Sequence, residues 1–356
     1  MISRLAQPLR RALIPLFILA GLTVSSCGRD TTEPTAPGIE STAPIETPAS
    51  GLSLALATQS RHTDRLMGIK GVIGTAVALD SRGKAEMRVF IRDASVRGVP
   101  TMLDGTPVSV VVTGPIRSLV ATATAGAATA AVDPRARFPR PVPIGVSTGN
   151  KRACISGTIG ARVKRGTSFF ALSNNHVYAL ENSAPLGSIV LQPGQADANC
   201  AAGANAHLGT LSRFVKIVFS ETASNRVDAA IASVTTGNLG RSTPSDGYGT
   251  PRAATASAVL NQTLRKYGRT TGYTSGKVVG LNATVKVQYS GGRIARFVGQ
   301  IVIQGGRFSD RGDSGALIID GNRRPVALLF AGGGPYTFAN PINQVLSALD
   351  VTVDGN

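Results

Sequence analysis

The chain has 356 residues, of which 42% are apolar, a length and composition typical of a globular protein with two or three compact units. Its 37 Lys and Arg residues against 20 Asp and Glu give a formal net charge of +17, which would permit binding to nucleic acid or to an anionic surface. An export signal at the N-terminus argues against nucleic acid as the partner. The histidines and cysteines show no spacing typical of a zinc site.

The first 26 residues have the layout of a signal peptide. Three arginines come first, an apolar run follows over residues 12–24, and small residues lead to Cys27. The run is shorter than the roughly 20 residues that a membrane-spanning helix requires. We therefore expect an export signal rather than a transmembrane segment.

Residues 24–27, with the sequence Val-Ser-Ser-Cys, resemble the lipobox of bacterial lipoproteins. In that family the cysteine is diacylated and becomes the mature N-terminus. The resemblance implies that Cys27 carries lipid and anchors the protein to a membrane of the bacterial cell envelope, facing outside the cytoplasm. Gly28 offers no aspartate-type signal for inner-membrane retention, which favours the outer membrane in a bacterium with two membranes. The alternative is an ordinary secretory signal in which the cysteine is incidental.

Three stretches are predicted between the signal peptide and residue 144. Residues 27–51 are rich in Thr, Pro, Ser and Glu with almost nothing to bury, which predicts a disordered tether. Residues 52–121, here the N-terminal module, contain a predicted helix through LATQSRHTDRLMGI and three apolar or alternating runs, which indicate a small α+β unit. Residues 122–143 form a predicted linker with a processing site near Arg140. The module could be a folding or inhibitory prosegment, a targeting module or a spacer.

Residues 144–356 contain many short apolar runs separated by Gly, Asn, Asp and Ser turns. This spacing is typical of all-β barrels. Only the end indicates a helix, with Asn340 as N-cap and Pro341 as the first residue of PINQVLSAL. We therefore expect a mainly β fold with a C-terminal helix, preceded by the small α+β module.

The stretch FSDRGDSGALIID at residues 308–320 places Ser314 on a loop that leads into an apolar run. A nucleophilic serine needs a base to take its proton and a third group to hold that base. His176 lies where an apolar strand ends, whereas His207 lies in a Gly/Ala loop, so His176 is the better candidate for the base. The alternative is an adhesive Arg-Gly-Asp turn at residues 311–313, which needs neither partner.

A buried carboxylate is the expected third group, because its charge fixes the tautomer of the imidazole. Asp228 lies in the apolar segment NRVDAAIASV, where an acid would be costly without a partner. Asp197 and Asp246 lie in turn-like segments where solvent can satisfy a carboxylate. Asp228 is therefore the candidate, and a strand-end acid bonded to nearby amides is the alternative.

In chain order, the segments SNNHVYA, VDAAIA and RGDSGALII resemble the His, Asp and Ser segments of trypsin-like serine peptidases of the chymotrypsin superfamily. The intervals of 52 residues from His176 to Asp228 and 86 residues from Asp228 to Ser314 suit two consecutive barrels. The segment GRTTGYTSG at residues 268–276 further resembles the bacterial branch that includes alpha-lytic protease and the streptogrisins. The resemblance covers about residues 144–352 and implies two antiparallel β-barrels of chymotrypsin type.

The same resemblance implies a Ser-His-Asp triad that needs neither a metal nor a cofactor. Ser314 would attack a peptide carbonyl, and His176, oriented by Asp228, would take the proton and later return it. The backbone amides of Gly312 and Ser314 would stabilise the oxyanion.

A structural ion pair is implied as well, because Arg269 matches the arginine that, in the alpha-lytic branch, pairs with the aspartate preceding the serine. Its partner here would be Asp313. Three departures from the family pattern leave substrate specificity open. Val177 follows the histidine in place of a cysteine, Ser275 stands where the alpha-lytic branch has a cysteine, and Ala316 stands where a second glycine is common.

Lipidation of Cys27 would leave Cys154 and Cys200 to pair in a compartment that permits disulfides. Two free buried thiols are the alternative.

The leading hypothesis from the sequence is an envelope-anchored serine endopeptidase that acts on protein or peptide substrates. The segment LLFAGGGPYTFA, with Phe330 and its glycines, suggests a neutral apolar specificity pocket. One alternative is a catalytically inactive protein that keeps the peptidase fold and binds peptides. Another is an esterase that uses the same triad.

Overall fold

The computed structural model describes residues 48–122 and 132–356. Cys27, the signal peptide and most of the predicted tether lie outside the described residues, as do residues 123–131 of the predicted linker. The last four residues of the predicted tether belong to the first helix, which begins at Pro48. No helix in the described ranges is long and apolar enough to cross a membrane.

Strands predominate over helices in the described residues. The helices are α1 (Pro48–Met67), α2 (Asn175–Tyr178) and α3 (Ile342–Leu349), with short 3-10 turns at Gln195–Asp197 and Ser290–Gly292. The strands before residue 122 are β1 (Val72–Leu79), β2 (Ala85–Ile91), β3 (Met102–Leu103), β4 (Thr106–Val112) and β5 (Arg117–Ser118). The strands after residue 132 are β6 (Ser147–Asn150), β7 (Gly157–Thr158), β8 (Ala161–Arg165), β9 (Ser168–Ser173), β10 (Ile189–Leu191), β11 (His207–Phe214), β12 (Ala230–Val234), β13 (Thr263–Gly268), β14 (Gly272–Gln288), β15 (Ile294–Gln304), β16 (Leu317–Ile319), β17 (Pro325–Gly333), β18 (Tyr336–Pro341) and β19 (Thr352–Val353).

The first barrel is an 8-stranded sheet in the order β19, β8, β9, β12, β11, β10, β6, β7. The segment between β7 and β8 joins its two ends. Ile159 donates its N–H to Val146 at 2.9 Å and accepts one from Gly145 at 2.7 Å, and Gly160 donates to Leu172 at 2.8 Å. The sheet therefore closes on itself, which leaves few unpaired edges.

The second barrel contains six antiparallel strands in the order β13, β16, β17, β18, β15, β14, and it closes because β14 pairs with β13. Strand β14 is 17 residues long, and its second half also pairs with β1. Strands of the N-terminal module therefore belong to the same 11-stranded sheet as the second barrel. Two antiparallel barrels, a C-terminal helix and a preceding α+β element confirm the predicted fold class.

The N-terminal module has its own small core and is also tied to β14. Leu66, Met87 and Val89 are buried together in that core. At the junction, the Gln59 side-chain amide donates to the Asn282 carbonyl at 2.8 Å and accepts from the Asn282 side chain at 3.1 Å. These paired amide contacts fix the register of α1 against the barrel strand.

Helix α3 begins one residue later than the sequence predicts. Its N-cap is Pro341, and Asn340 still belongs to β18. The buried positions of α3 are spaced as one helical face: Ile342, Val345, Leu346 and Leu349. Each such aliphatic side chain contributes roughly 1.5–3 kcal/mol when it leaves water, so this face holds the helix on the core of the first barrel.

Candidate active site

His176 and Asp228 are in contact at the centre of the candidate site. His176 lies in α2, just after β9, and Asp228 lies two residues before β12. The imidazole Nδ1 donates to Asp228 Oδ2 at 2.7 Å, and the His176 backbone N–H donates to Oδ1 at 3.2 Å. Both side chains are buried, with 1% and 0% of their surfaces exposed. A carboxylate held in this way fixes the imidazole with Nε2 as its acceptor nitrogen.

Three further residues hold Asp228 in place. The Tyr289 hydroxyl donates to Asp228 Oδ2 at 2.7 Å, the Asp228 N–H donates to Asn340 Oδ1 at 3.0 Å, and the Asn174 amide donates to the Asp228 carbonyl at 2.7 Å. Burial, with the Asp228 charge beside it, raises the pKa of Tyr289 well above its ordinary value, so the phenol stays protonated and keeps donating. Sequence reasoning missed all three roles, because they join residues 54 to 112 positions apart.

Ser314 is buried on the loop between β15 and β16. Its Oγ donates to the Phe330 carbonyl at 3.3 Å, and His176 Nε2 is buried with no hydrogen-bond partner among the described residues. The expected hydrogen bond between Ser314 and His176 is therefore not formed. The two segments nevertheless meet: a Cβ added to Gly157 would lie 2.6 Å from a Val177 methyl group and 3.0 Å from the Ser314 carbonyl oxygen.

The loop that carries Ser314 makes a tight turn at Gly312, whose φ is +103°. A Cβ at this position would lie 2.4 Å from Thr270 Oγ1, so a side chain does not fit. Thr158 ties the loop to the first barrel: its hydroxyl donates to the Gly312 carbonyl at 2.8 Å and its N–H donates to the Ser314 carbonyl at 2.7 Å. The Gly312 N–H, the expected oxyanion donor, itself donates to the Leu119 carbonyl at 2.6 Å.

The expected ion pair between Arg269 and Asp313 is not formed. The Arg269 guanidinium instead binds Asp197 through both carboxylate oxygens, with Nε 2.8 Å from Oδ2. The cation beside Asp313 is Lys266, whose Nζ lies 3.7 Å from Oδ2. A Cβ on Gly268 would lie 2.4 Å from Asp313 Oδ1. The backbone of the β13–β14 turn therefore covers this carboxylate, and the arginine side chain extends away from it.

Backbone and hydroxyl donors complete the surroundings of Asp313. It accepts from the Thr270 N–H at 2.8 Å and from the Thr271 hydroxyl at 2.7 Å. Burial lowers the pKa of Lys266, and the Asp313 charge opposes that shift. Strand alternation places Lys266 on the same inward face as Leu264, and this was the sequence signal for a buried cation.

Cys154 and Cys200 are joined in a disulfide, with 5.0 Å between their Cα atoms. Cys200 lies three residues after Asp197, and Cys154 lies shortly before β7. The bond thus holds the segment that carries the partner of Arg269 against the first barrel.

A cavity of about 240 Å³ lies beside the Gly312 loop. Residues 308–311 and the glycines at 332–334 line it, together with Arg117 and Leu119 of the N-terminal module. Phe330, which the sequence suggested would border the pocket, is buried instead. Its ring centroid lies 4.9 Å from that of Phe297.

No family model matches this sequence, and no curated protein matches it. Solved structures with a similar fold include Thermobifida fusca Protease A (17% identity, TM-score 0.43, covering 60% of this chain and 99% of that one). Others are Cellulomonas bogoriensis chymotrypsin (21%, 0.41, 60% and 99%) and the Nocardiopsis protease NAPase (17%, 0.42, 60% and 98%). Similarity at these values extends to the fold and identifies no activity.

Proposed function

We propose that the protein is a serine endopeptidase in which Ser314, His176 and Asp228 form the catalytic triad. The observation that carries the proposal is the buried contact of 2.7 Å between His176 Nδ1 and Asp228, which leaves Nε2 as a buried acceptor without a hydrogen-bond partner among the described residues. A buried nitrogen without a hydrogen-bond partner lowers the stability of a folded protein. Such atoms are found at active sites, where the nitrogen accepts a proton from a reacting group.

The proposed reaction begins when the Ser314 hydroxyl leaves the Phe330 carbonyl and turns to His176 Nε2. A neutral hydrogen bond of 3.3 Å is long, so little is lost in that rotation. His176 then takes the hydroxyl proton as Ser314 attacks a peptide carbonyl, and the Asp228 charge stabilises the imidazolium that forms. The amides of Gly312 and Ser314 bind the oxyanion, and losing one such donor costs about 100- to 1000-fold in rate.

A second candidate is a catalytically inactive protein that binds peptides in the same cleft. The hydrogen bond from Ser314 to Phe330, rather than to His176, favours this candidate. An esterase would use the same triad as the endopeptidase and differ from it in substrate.

Labelling with a fluorophosphonate probe separates these functions. We expect covalent labelling of Ser314 in the purified protein, none in Ser314→Ala, and a rate about 100- to 10,000-fold lower in His176→Ala. Ser168→Ala and His207→Ala, at exposed positions of the first barrel, are the matched controls. Because the Leu119 backbone carbonyl occupies the Gly312 amide, the assay is repeated in Leu119→Asp, which removes the apolar side-chain contacts that hold this segment in place. A folded protein unlabelled in both backgrounds supports the peptide-binding candidate, and hydrolysis of esters without peptides supports the esterase.

We further propose that Cys27 is lipidated and anchors the enzyme to the cell envelope, in the outer membrane where two membranes exist. The support is the signal-like segment that ends in Val-Ser-Ser-Cys, and Cys27 lies outside the described residues. The test is incorporation of an alkyne fatty acid and partitioning into detergent. Both should be lost in Cys27→Ser and kept in Thr31→Ala, and unchanged partitioning of Cys27→Ser would contradict the anchor.

A further inference from the structure

A segment of the N-terminal module lies extended across the candidate active site. Residues 117–121, here the cleft segment, begin with β5, which pairs antiparallel with β17 so that Arg117 faces Gly332 and Ser118 faces Ala331. At the other end, Ala121 and Ser156 exchange two backbone hydrogen bonds of 2.9 and 3.0 Å. The backbone is thus held by one barrel before the Leu119–Val120 peptide bond and by the other barrel after it.

Leu119 is held by the groups that the proposed chemistry requires. Its carbonyl oxygen accepts the Gly312 N–H at 2.6 Å, the amide assigned to the oxyanion. Its own N–H donates to the Phe330 carbonyl at 3.3 Å, and the Ser314 hydroxyl donates to the same oxygen at 3.3 Å. The Phe330 carbonyl therefore accepts hydrogen bonds both from Ser314, the proposed nucleophile, and from Leu119, whose own carbonyl accepts the Gly312 N–H.

The Leu119 side chain fills an apolar slot in the second barrel. It packs against the buried cluster that includes Phe308 and Ala316. The slot is open because residue 332 is glycine: a Cβ there would lie 3.0 Å from Leu119 Cδ1. An aliphatic side chain suits these apolar contacts, whereas a carboxylate would lose them.

We infer that the Leu119–Val120 peptide bond of this chain is an intramolecular substrate of Ser314, an inference that rests on the proposed function. Ser314 Oγ forms an ester with the Leu119 carbonyl carbon, and the bond to the Val120 nitrogen breaks. The proton from Oγ passes through His176 to that nitrogen, which becomes a free amine. A water molecule then hydrolyses the ester, which leaves a carboxylate at Leu119 and restores Ser314. The same contacts assign the site a preference for a leucine-sized aliphatic residue on the carbonyl side of the bond.

The experiment is intact-mass analysis and N-terminal sequencing of the full chain as purified. Wild type should contain a fragment that begins at Val120, and Ser314→Ala should remain whole at that bond. Leu119→Asp should lower the fraction cut by at least about tenfold, while Leu119→Met should be cut as wild type. Leu186→Asp, at a leucine that is 62% exposed, is the matched control and should be cut normally. Tagged Ser314→Ala mixed with wild type should stay intact.

Each other outcome has a defined meaning. A wild type that reacts with the fluorophosphonate probe but stays whole at Leu119 overturns this inference and leaves the proposed function standing. A wild type that neither reacts nor is cut, with Leu119→Asp equally unreactive, removes both. If Ser314→Ala is cut before Val120 in the absence of wild type, another protease makes the break and the inference fails. If Ser314→Ala is cut only after wild type is added, the cleavage is intermolecular and the intramolecular route fails.

Discussion

Replacing Tyr289 with phenylalanine removes one hydroxyl and keeps a ring whose centroid lies 6.0 Å from that of His176 and 5.5 Å from that of Phe219. The hydroxyl lost is the buried donor at 2.7 Å from Asp228 Oδ2. A hydrogen bond to a charged group contributes about 1.5–3 kcal/mol. Because Asp228 keeps two donors from His176, we expect the free energy of unfolding to fall by about 1.5–2 kcal/mol.

Urea unfolding followed by circular dichroism measures this loss, since the chain has no tryptophan. Tyr273→Phe, at a tyrosine that is 44% exposed, is the control and should change the unfolding free energy by no more than about 0.5 kcal/mol. The labelling rate of Ser314 should fall less than about tenfold in Tyr289→Phe but about 10,000-fold in Asp228→Asn, which loses the correct tautomer. A loss below about 0.5 kcal/mol in Tyr289→Phe would refute the role of this hydroxyl in holding Asp228.

Three further predictions concern the buried charges and the disulfide. Arg269→Met should lower the free energy of unfolding by about 3–5 kcal/mol, because it leaves Asp197 buried without its cation. Burial lowers the pKa of Lys266 below its ordinary value of 10.5, so just below pH 10.5 the unfolded chain binds more protons than the folded one. The stability that this residue contributes should therefore rise as the pH rises towards 10.5. Lys266→Met should abolish that rise in urea titrations at stepped pH. Reduction of the bond between Cys154 and Cys200, which are 46 residues apart, should cost about 4 kcal/mol in the same assay.

Controls for these predictions come from exposed neighbours. Arg265→Met and Lys277→Met change exposed residues of β13 and β14 and should leave unfolding within about 0.5 kcal/mol of wild type. An Arg269→Met protein as stable as its control would mean that the ion pair contributes nothing. A pH slope that survives in Lys266→Met would assign that slope to another group, and equal stability with and without reductant would contradict the disulfide prediction.

The fold class could be predicted from the sequence, because short alternating runs and turn residues depend on local backbone conformation and on which side chains are buried. It also selected Asp228, since an acid among Val227, Ala229 and Ala230 needs a buried partner. It failed on Arg269, because the direction of that side chain depends on a hairpin packing against a loop more than 40 residues away. The sequence predicts Asn340 as the N-cap of α3, whereas in the structure its side-chain oxygen accepts the Asp228 N–H.

The cleft segment had no sequence signature for a related reason. Its contacts with Gly312, Phe330 and Ser156 use backbone N–H and carbonyl groups, which every residue except proline supplies. Only Leu119 adds a side-chain preference, and one leucine in an apolar stretch is not informative. Tertiary structure was needed to bring that stretch to the site.

Strand β14 has a consequence for the protein after cleavage. It is shared between the second barrel and β1, so a break at Leu119–Val120 would turn one polypeptide into two that remain paired in a single sheet. What was an intramolecular contact would become a heterodimer, whose lifetime is set by a dissociation rate and whose population depends on concentration. Under the proposed lipidation of Cys27, the rate at which β1 separates from β14 would then set how long the barrels stay attached to the anchored fragment.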